Sequence, residues 1–255
     1  MARSDRQAVE IFHLTLLSAL GATLDKRLFA LKGGCNLRFF FKSPRLSEDM
    51  DFDVVTVGVD TLKTKVKRLL DGQPLRLQLE AAGISVEEWS APKQTATTQR
   101  WKIRVRAARG PRGVATKLEF SRRGVGDGVV LDPVDPLLVE AYGLAPIMAP
   151  HYSRSAAFAQ KVVALADRVE TQARDVFDLD LLLRGGALPS RLPPSIRARL
   201  DAARQNTLSL SYDDFVAQVH AYLPEDEQPN WDAEAWDRAV LRVMDALDAG
   251  GGSAA

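Results

Sequence analysis

Cysteine and histidine are almost missing from this chain. Its 255 residues hold one cysteine, Cys35, and three histidines, His13, His151 and His220. A single thiol excludes an intrachain disulfide framework and fits a reducing compartment, so the cytoplasm is the expected location. The histidines are scattered and show no metal-ligand spacing, and no histidine–aspartate cluster supports phosphohydrolase chemistry. Cys35 has no histidine near it in sequence and is expected to be a small packed side chain. No uninterrupted apolar run is long enough to span a bilayer. The opening Met1-Ala2-Arg3-Ser4-Asp5-Arg6 is expected to lead into a helix, not to act as a signal segment. Aromatic residues are 7% of the chain, and Trp89 and Trp101 are too few for a base-stacking platform. A net charge of +1 takes no side on nucleic acid.

What remains is an ordinary globular composition, 46% hydrophobic and 26% charged, long enough for one large or two small domains. The charges are unevenly placed. Arg100, Lys102, Arg104, Arg106, Arg109, Arg112, Lys117, Arg122 and Arg123 stand against one acid, Glu119, whereas acids gather at Asp213-Asp214 and from Glu225 to Asp237. Alternate basic residues on a strand, Lys102, Arg104 and Arg106, are the best nucleic-acid candidate and are expected to track RNA phosphates, with a solubility device as the other reading.

Periodicity predicts a helix over 7–28, a short apolar segment at 29–31, and a glycine turn at Lys32-Gly33-Gly34. A helix over 36–41 is expected next, although its phenylalanines would also suit a strand. A strand over 50–57 and a helix over 60–70 follow. From 75 to 120 the pattern is β-like: Trp101, Ile103 and Val105 alternate with basic residues, and 115–121 is a second strand able to form a hairpin with the first. Gly110-Pro111-Arg112-Gly113 and Gly124-Val125-Gly126-Asp127-Gly128 read as turns. After Pro136 the expectation is helix throughout, with helices at 156–168, 173–183, 212–223 and 234–247 and a break between Gly185 and Pro194. This predicts an α/β domain over 1–135, a helical domain over 136–249 and a flexible tail over 250–255, with no internal repeat.

The most informative stretch is Ser47-Glu48-Asp49-Met50-Asp51-Phe52-Asp53, just downstream of the glycine pair. In a strand, Asp49 and Asp51 share a face. Two neighbouring carboxylates repel, and a divalent cation is the usual remedy. Glycines let backbone N–H groups approach a ligand closely. A hard-oxygen site for magnesium beside such a turn suits a nucleoside triphosphate. Asp53 shares the face by alternation and could be a further ligand, but is expected to be exposed just beyond the site.

Lys32-Gly33-Gly34-Cys35-Asn36-Leu37 followed by Arg45-Leu46-Ser47-Glu48-Asp49-Met50-Asp51-Phe52 resembles the opening motif of the AbiEii/AbiGii toxins, whose pattern is a glycine pair, a leucine, a spacer and Arg-x-Ser-x-Asp-x-Asp. Lys161 within Gln160–Leu165 and the block Ala173-Arg174-Asp175-Val176-Phe177-Asp178-Leu179 extend the resemblance over roughly 10–185. Cys35 replaces a threonine and Lys42 stands where glycine is common; neither change touches a carboxylate. The family comprises nucleotidyltransferase-like toxins of type IV toxin–antitoxin and phage-abortive systems.

The resemblance implies a polymerase-β-like nucleotidyltransferase core, a mixed sheet flanked by helices, with a helical C-terminal lobe. It implies two Mg2+ ions (or Mn2+) held by Asp49, Asp51 and a third acid, for which Glu119 is the choice and Asp132 the substitute. Gly33, Gly34 and Ser47 are expected to cradle the phosphates of the NTP donor. Lys161 would supply a positive charge from the helical lobe, and Asp175 would orient Lys161 or Arg174 or steer the acceptor. Arg174 can pair bidentately with phosphate or a carboxylate. The block Arg174-Asp175-x-x-Asp178 is alternatively a structural ion-pair network, and Lys161 alternatively an exposed helix residue. The expected acceptor is the tRNA 3′ end, with a protein hydroxyl or the toxin itself competing, and a non-catalytic nucleotide- or RNA-binding module as the other class. A cognate antitoxin from a neighbouring gene, no membrane and a monomeric state complete the expectation.

Overall fold

A computed structural model describes residues 4–108, 110, 112–189 and 192–251. Arg109, part of the expected 110–113 turn and the tail from 252 lie outside the described residues, as do the first three positions of the opening segment. The chain forms two compact units. The first runs through Lys42 and resumes from Leu46 to Tyr152; the second takes Ser43–Arg45 and continues from Ser153.

The first unit is built on a seven-stranded mixed sheet of order β3-β4-β5-β2-β1-β7-β6. Helix α1 (Asp5–Thr23) opens it, capped by Ser4 in a reciprocal box with Gln7. Every residue from Ala8 to Leu17 is buried. The helix ends earlier than its periodicity predicts because Asp25 closes a turn, accepting from the Arg27 N–H at 2.9 Å. Strand β1 (Phe29–Lys32) then leads straight into α2 (Gly33–Phe40). The glycines are therefore the first residues of a helix, not a separate turn before one.

Strand β2 (Asp49–Val54) pairs antiparallel with β1 and parallel with β5 (Val114–Ser121). Strand β4 (Thr98–Ala107) lies antiparallel to β5, the expected hairpin pairing. Met50, Phe52, Trp101, Ile103, Leu118 and Phe120 are buried in the core, with Phe52 stacked on Phe120 at 5.0 Å between centroids. Asp49, Asp51, Lys117 and Glu119 alternate with them onto the opposite face.

Helix α3 (Val59–Leu70) matches its pattern closely. Helix α4 (Gln73–Ala81) does not fit the expected β-like region, because only Leu75 and Leu79 are buried in its nine residues. The edge strand β3 (Ile84–Gln94) lacks clean alternation because it is largely exposed on both faces. Strand β6 (Val129–Pro133) and helix α5 (Pro136–Ala141) follow. Strand β7 (Met148–Tyr152) interrupts the stretch expected to be wholly helical. It pairs parallel with β1 and antiparallel with β6, so the sheet continues past residue 135.

The second unit contains only helices among its described residues: α6 (Arg154–Asp167), α7 (Ala173–Arg184), α8 (Pro194–Arg197), α9 (Leu200–Leu208), α10 (Tyr212–Gln218) and α11 (Ala233–Gly251). Phe177, Phe215, Trp231 and Trp236 form its aromatic centre, Phe177 and Trp231 being 4.7 Å apart and Phe215 and Trp236 5.1 Å. Gly250 and Gly251 are helical rather than part of a tail. A Cβ on Gly250 would sit 3.3 Å from the Pro189 carbonyl, so the absent side chain permits that close approach. No helix of the described residues is long and apolar enough to cross a membrane.

Candidate active site

The β1–α2 junction and the start of β2 assemble the acidic row. Gly33 has φ of 70°, the left-handed region where a side chain is strained. A Cβ there would also lie 3.1 Å from Asp51 Oδ2. Glycine thus lets the Asp51 carboxylate rest directly against the backbone that opens α2. The N-cap residue, Lys32, gives this helix no side-chain cap.

Burial pushes the Asp51 carboxyl up from its ordinary value; Asp49 and Glu119 add to the effect, while Lys32 and Lys117 oppose it. Glu119 stands directly opposite Asp51 in the parallel β2–β5 register. Asp132 lies on β6 at the far edge of the sheet, facing His151 Nε2 at 3.2 Å. Of the two candidates for a third acid, Glu119 is therefore the one beside the pair.

Each outer acid already has a cation. Lys117 Nζ is 2.6 Å from Asp49 Oδ2, and the Lys117 backbone N–H donates to Asp49 Oδ1 at 3.1 Å. Arg100 Nε donates to Glu119 at 2.6 Å. Among the described residues no group of three His, Cys, Asp or Glu side chains is arranged to hold a metal ion. The donor set nonetheless suits magnesium. Asp49 and Asp51 share a face, and this ion is commonly held by one or two carboxylates together with substrate phosphates rather than by an all-protein cage.

Ser47, expected to offer its hydroxyl to phosphate, donates it to the Asp49 carbonyl at 2.9 Å. Cys35 reaches the same carbonyl at 3.2 Å and is packed away from solvent. Its thiol does have a histidine neighbour, brought from α1: His13 Nδ1 lies 3.5 Å away. Thr116 gives its hydrogen to the Glu48 carbonyl at 2.6 Å, so His13 Nε2–H donates to Thr116 at 2.7 Å. Burial pulls His13 down to about 3, which keeps the ring neutral in that role. The strand start carrying Asp49 is thus braced from the core side by residues far apart in sequence.

Asp53 is buried, not exposed beyond the site: Lys32 Nζ lies 2.6 Å from Oδ1 and the Tyr152 hydroxyl donates to Oδ2 at 2.7 Å. The basic face of β4 carries partners that its local sequence does not show. Arg104 pairs with Glu88 and Arg106 with Glu87, each at 2.8 Å, so acids from β3 offset charge that looked unbalanced locally.

A family model described as "Nucleotidyl transferase AbiEii toxin, Type IV TA system" matches residues 15–249. The chain belongs to the AbiEii family of nucleotidyltransferase toxins. Two solved structures share the fold. JHP933 from Helicobacter pylori is 18% identical, with a TM-score of 0.63 over 98% of this chain and 94% of its own. MenT4, the nucleotidyltransferase toxin Rv2826c from Mycobacterium tuberculosis H37Rv, is 19% identical, with a TM-score of 0.61 over 96% and 86%. No curated protein sequence matches. The fold is accordingly a polymerase-β-like nucleotidyltransferase core with a helical lobe.

In this AbiEii chain the second motif folds into a buried ion cluster within the helical unit. Lys161 on α6 lies 2.6 Å from Asp178 and 3.0 Å from Asp175 on α7. Burial alone would depress the Lys161 ammonium, but the two carboxylates outweigh it and its pKa is raised. Arg168 completes Asp175 at 2.7 Å, and Arg45 completes Asp178 at 3.1 Å. Lys161 is therefore largely covered, its side chain 11% exposed, rather than an exposed helix residue. Asp175 accepts from Lys161 and Arg168, whereas Arg174 is half-buried and forms no ion pair with it. Arg45, quoted as part of the Arg-x-Ser motif, had no assigned partner in sequence because Asp178 lies 133 residues away.

Proposed function

We propose that this AbiEii toxin transfers a nucleoside monophosphate from an NTP to an acceptor hydroxyl, most favourably the 3′ end of tRNA, and thereby blocks translation. The observation that carries the reading is the Asp49–Asp51 pair on one strand face, with Asp51 set against the glycine that opens α2. Asp49 and Asp51 would hold Mg2+, or Mn2+, with Glu119 as the adjacent third acid; the metal would supply charge neutralisation at the polyphosphate and lower the pKa of a bound hydroxyl. Gly33 and Gly34 offer backbone N–H groups to the phosphates, and Ser47, whose hydroxyl braces the Asp49 carbonyl, would release that bond to donate to a phosphate. The acceptor oxygen forms a bond to the α-phosphorus, the bond from that phosphorus to the β-phosphate bridging oxygen breaks, and pyrophosphate leaves with the electron pair. The acceptor proton passes to the carboxylate pair or to solvent.

In the helical unit, Lys161 and Arg174 are the proposed nucleotide-phosphate cations. Asp175 holds Lys161 for that task. Since Lys161 already contacts two carboxylates, it would share its donors with a phosphate rather than offer a free charge. Support for tRNA comes from the family resemblance.

A second reading, a module that holds nucleotide or RNA without turnover, is favoured by the Lys117–Asp49 and Arg100–Glu119 pairs, which neutralise the acids without a metal. Incubation with total tRNA and each α-labelled triphosphate in turn, with magnesium, separates them. Label on tRNA that disappears with Asp49→Ala supports transfer to tRNA. Label on protein moves the acceptor to a protein hydroxyl. Magnesium-dependent binding with no pyrophosphate release would establish the non-catalytic module. Co-purification with the product of the neighbouring gene tests the antitoxin partnership that the family implies.

A further inference from the structure

Asp53 is the member of the acidic row that the transfer scheme leaves without a task, and its surroundings point to Lys32. The Lys32 ammonium lies 2.6 Å from Asp53 Oδ1, with the lysine side chain 28% and the aspartate side chain 12% exposed. Tyr152, almost wholly buried, donates its hydroxyl to the other oxygen, Asp53 Oδ2, at 2.7 Å. That phenol oxygen in turn accepts the Gly126 N–H at 2.9 Å, tying down the glycine-rich loop after β5. Both Asp53 oxygens are thus assigned, one to a fixed phenol and one to the lysine.

The position of Lys32 makes this arrangement more than a sheet ion pair. Lys32 is the last residue of β1, the residue before Gly33, and stands opposite Asp51 in the antiparallel β1–β2 register. Its side chain therefore rises on the face that carries Asp49 and Asp51. An ammonium has three donors, and Asp53 takes one. The buried Asp53 carboxylate needs its partners in any case, so the pair by itself does not set the role of Lys32. The ammonium is the more exposed member and keeps donors beyond Asp53 on the face of the acidic row, where a polyphosphate oxygen can accept them.

We propose that Lys32 contacts the donor nucleotide: its ammonium donates to a non-bridging phosphate oxygen of the triphosphate, while Asp53, held by Tyr152, fixes where that ammonium sits. Asp53 is then a positioning residue, and so is Tyr152. The proposal deepens the nucleotidyl-transfer reading and rests on it.

The test uses the full chain, magnesium, total tRNA and the triphosphate that the wild type uses. Lys32→Gln is expected to raise the KM for that triphosphate about tenfold or more, the loss of one charged hydrogen bond, with kcat changed far less. Because Lys32→Gln leaves Asp53 without its cation, the double variant Lys32→Gln/Asp53→Asn removes the buried charge and is expected to keep the wild-type Tm and the raised KM. Tyr152→Phe is expected to raise KM by a smaller factor. A double variant with the wild-type KM overturns the assignment and leaves Lys32 a structural pair, with transfer itself intact. A wild type that transfers none of the four nucleotides overturns the transfer reading instead, so the two failures are told apart.

Discussion

A side chain at position 33 would meet two obstacles, a left-handed backbone and the Asp51 carboxylate 3.1 Å from its Cβ. Gly33→Ala is expected to lose about 1–3 kcal/mol of stability from backbone strain and to lower transfer by tenfold or more, because Asp51 must move; a melting curve and the labelling assay check both. Lys42 presents the converse case. It is a lysine at φ of 58°, which accounts for a glycine being common there in the resembling family. Lys42→Gly is expected to add about 1 kcal/mol by relieving that conformation, read as a Tm increase of about 2–4 °C. His13 sets a pH dependence. Its folded pKa of about 3 lies below the unfolded 6.5, so the unfolded chain binds the extra proton first. Stability is full above 6.5 and falls as pH drops toward 3, by up to about 1.4 kcal/mol per unit. His151, lowered chiefly by burial against the opposing pull of Asp132, acts in the same sense. Between pH 6.5 and 5, His13→Gln is expected to flatten the Tm profile partly; an unchanged slope would count against a neutral buried His13.

At the scale of elements, the α6–α7 pair is joined by charges rather than by apolar contacts alone. Asp175 and Asp178 are fully buried, and each has Lys161 plus one arginine. Lys161→Met removes the shared cation and is expected to cost about 3–5 kcal/mol, whereas Arg174→Ala, without a pair in that cluster, should stay within about 0.5 kcal/mol. Urea denaturation of the two variants measures the contrast. The partial legibility of this cluster has a physical basis. Asp175 and Asp178 lie three apart on one helix, so their shared face follows from helical spacing. Their cations come from α6, from the α6–α7 connection and from Arg45, and only packing selects among the many basic residues available. The same holds for β3, whose Glu87 and Glu88 offset Arg106 and Arg104 across strands. A count confined to 100–123 has no access to those acids.

For the whole molecule, the decisive element is β7. Five residues with a proline at their centre carry almost no strand signal, yet they pair with β1 and β6 and extend the first compact unit to Tyr152. A fragment ending at 152 is expected to stay soluble with the far-UV signature of a sheet. One ending at 135 exposes the β1 edge and removes the partner of β6, and is expected to aggregate. Size-exclusion chromatography of the two fragments decides this. The sequence by itself determined the features that depend on neighbours along the chain. The alternation that sets Asp49 and Asp51 on one face, the glycine pair, the β4–β5 hairpin and the helices α3, α6 and α7 all follow from local spacing, because backbone period and side-chain polarity are short-range properties. Tertiary structure alone decided which distant group meets each charge: Lys117 at Asp49, Lys32 and Tyr152 at Asp53, Arg45 at Asp178, and His13 beneath the start of β2. Electrostatic and hydrogen-bond partners are chosen by distance in space, and burial makes those choices strict by penalising any charge left alone.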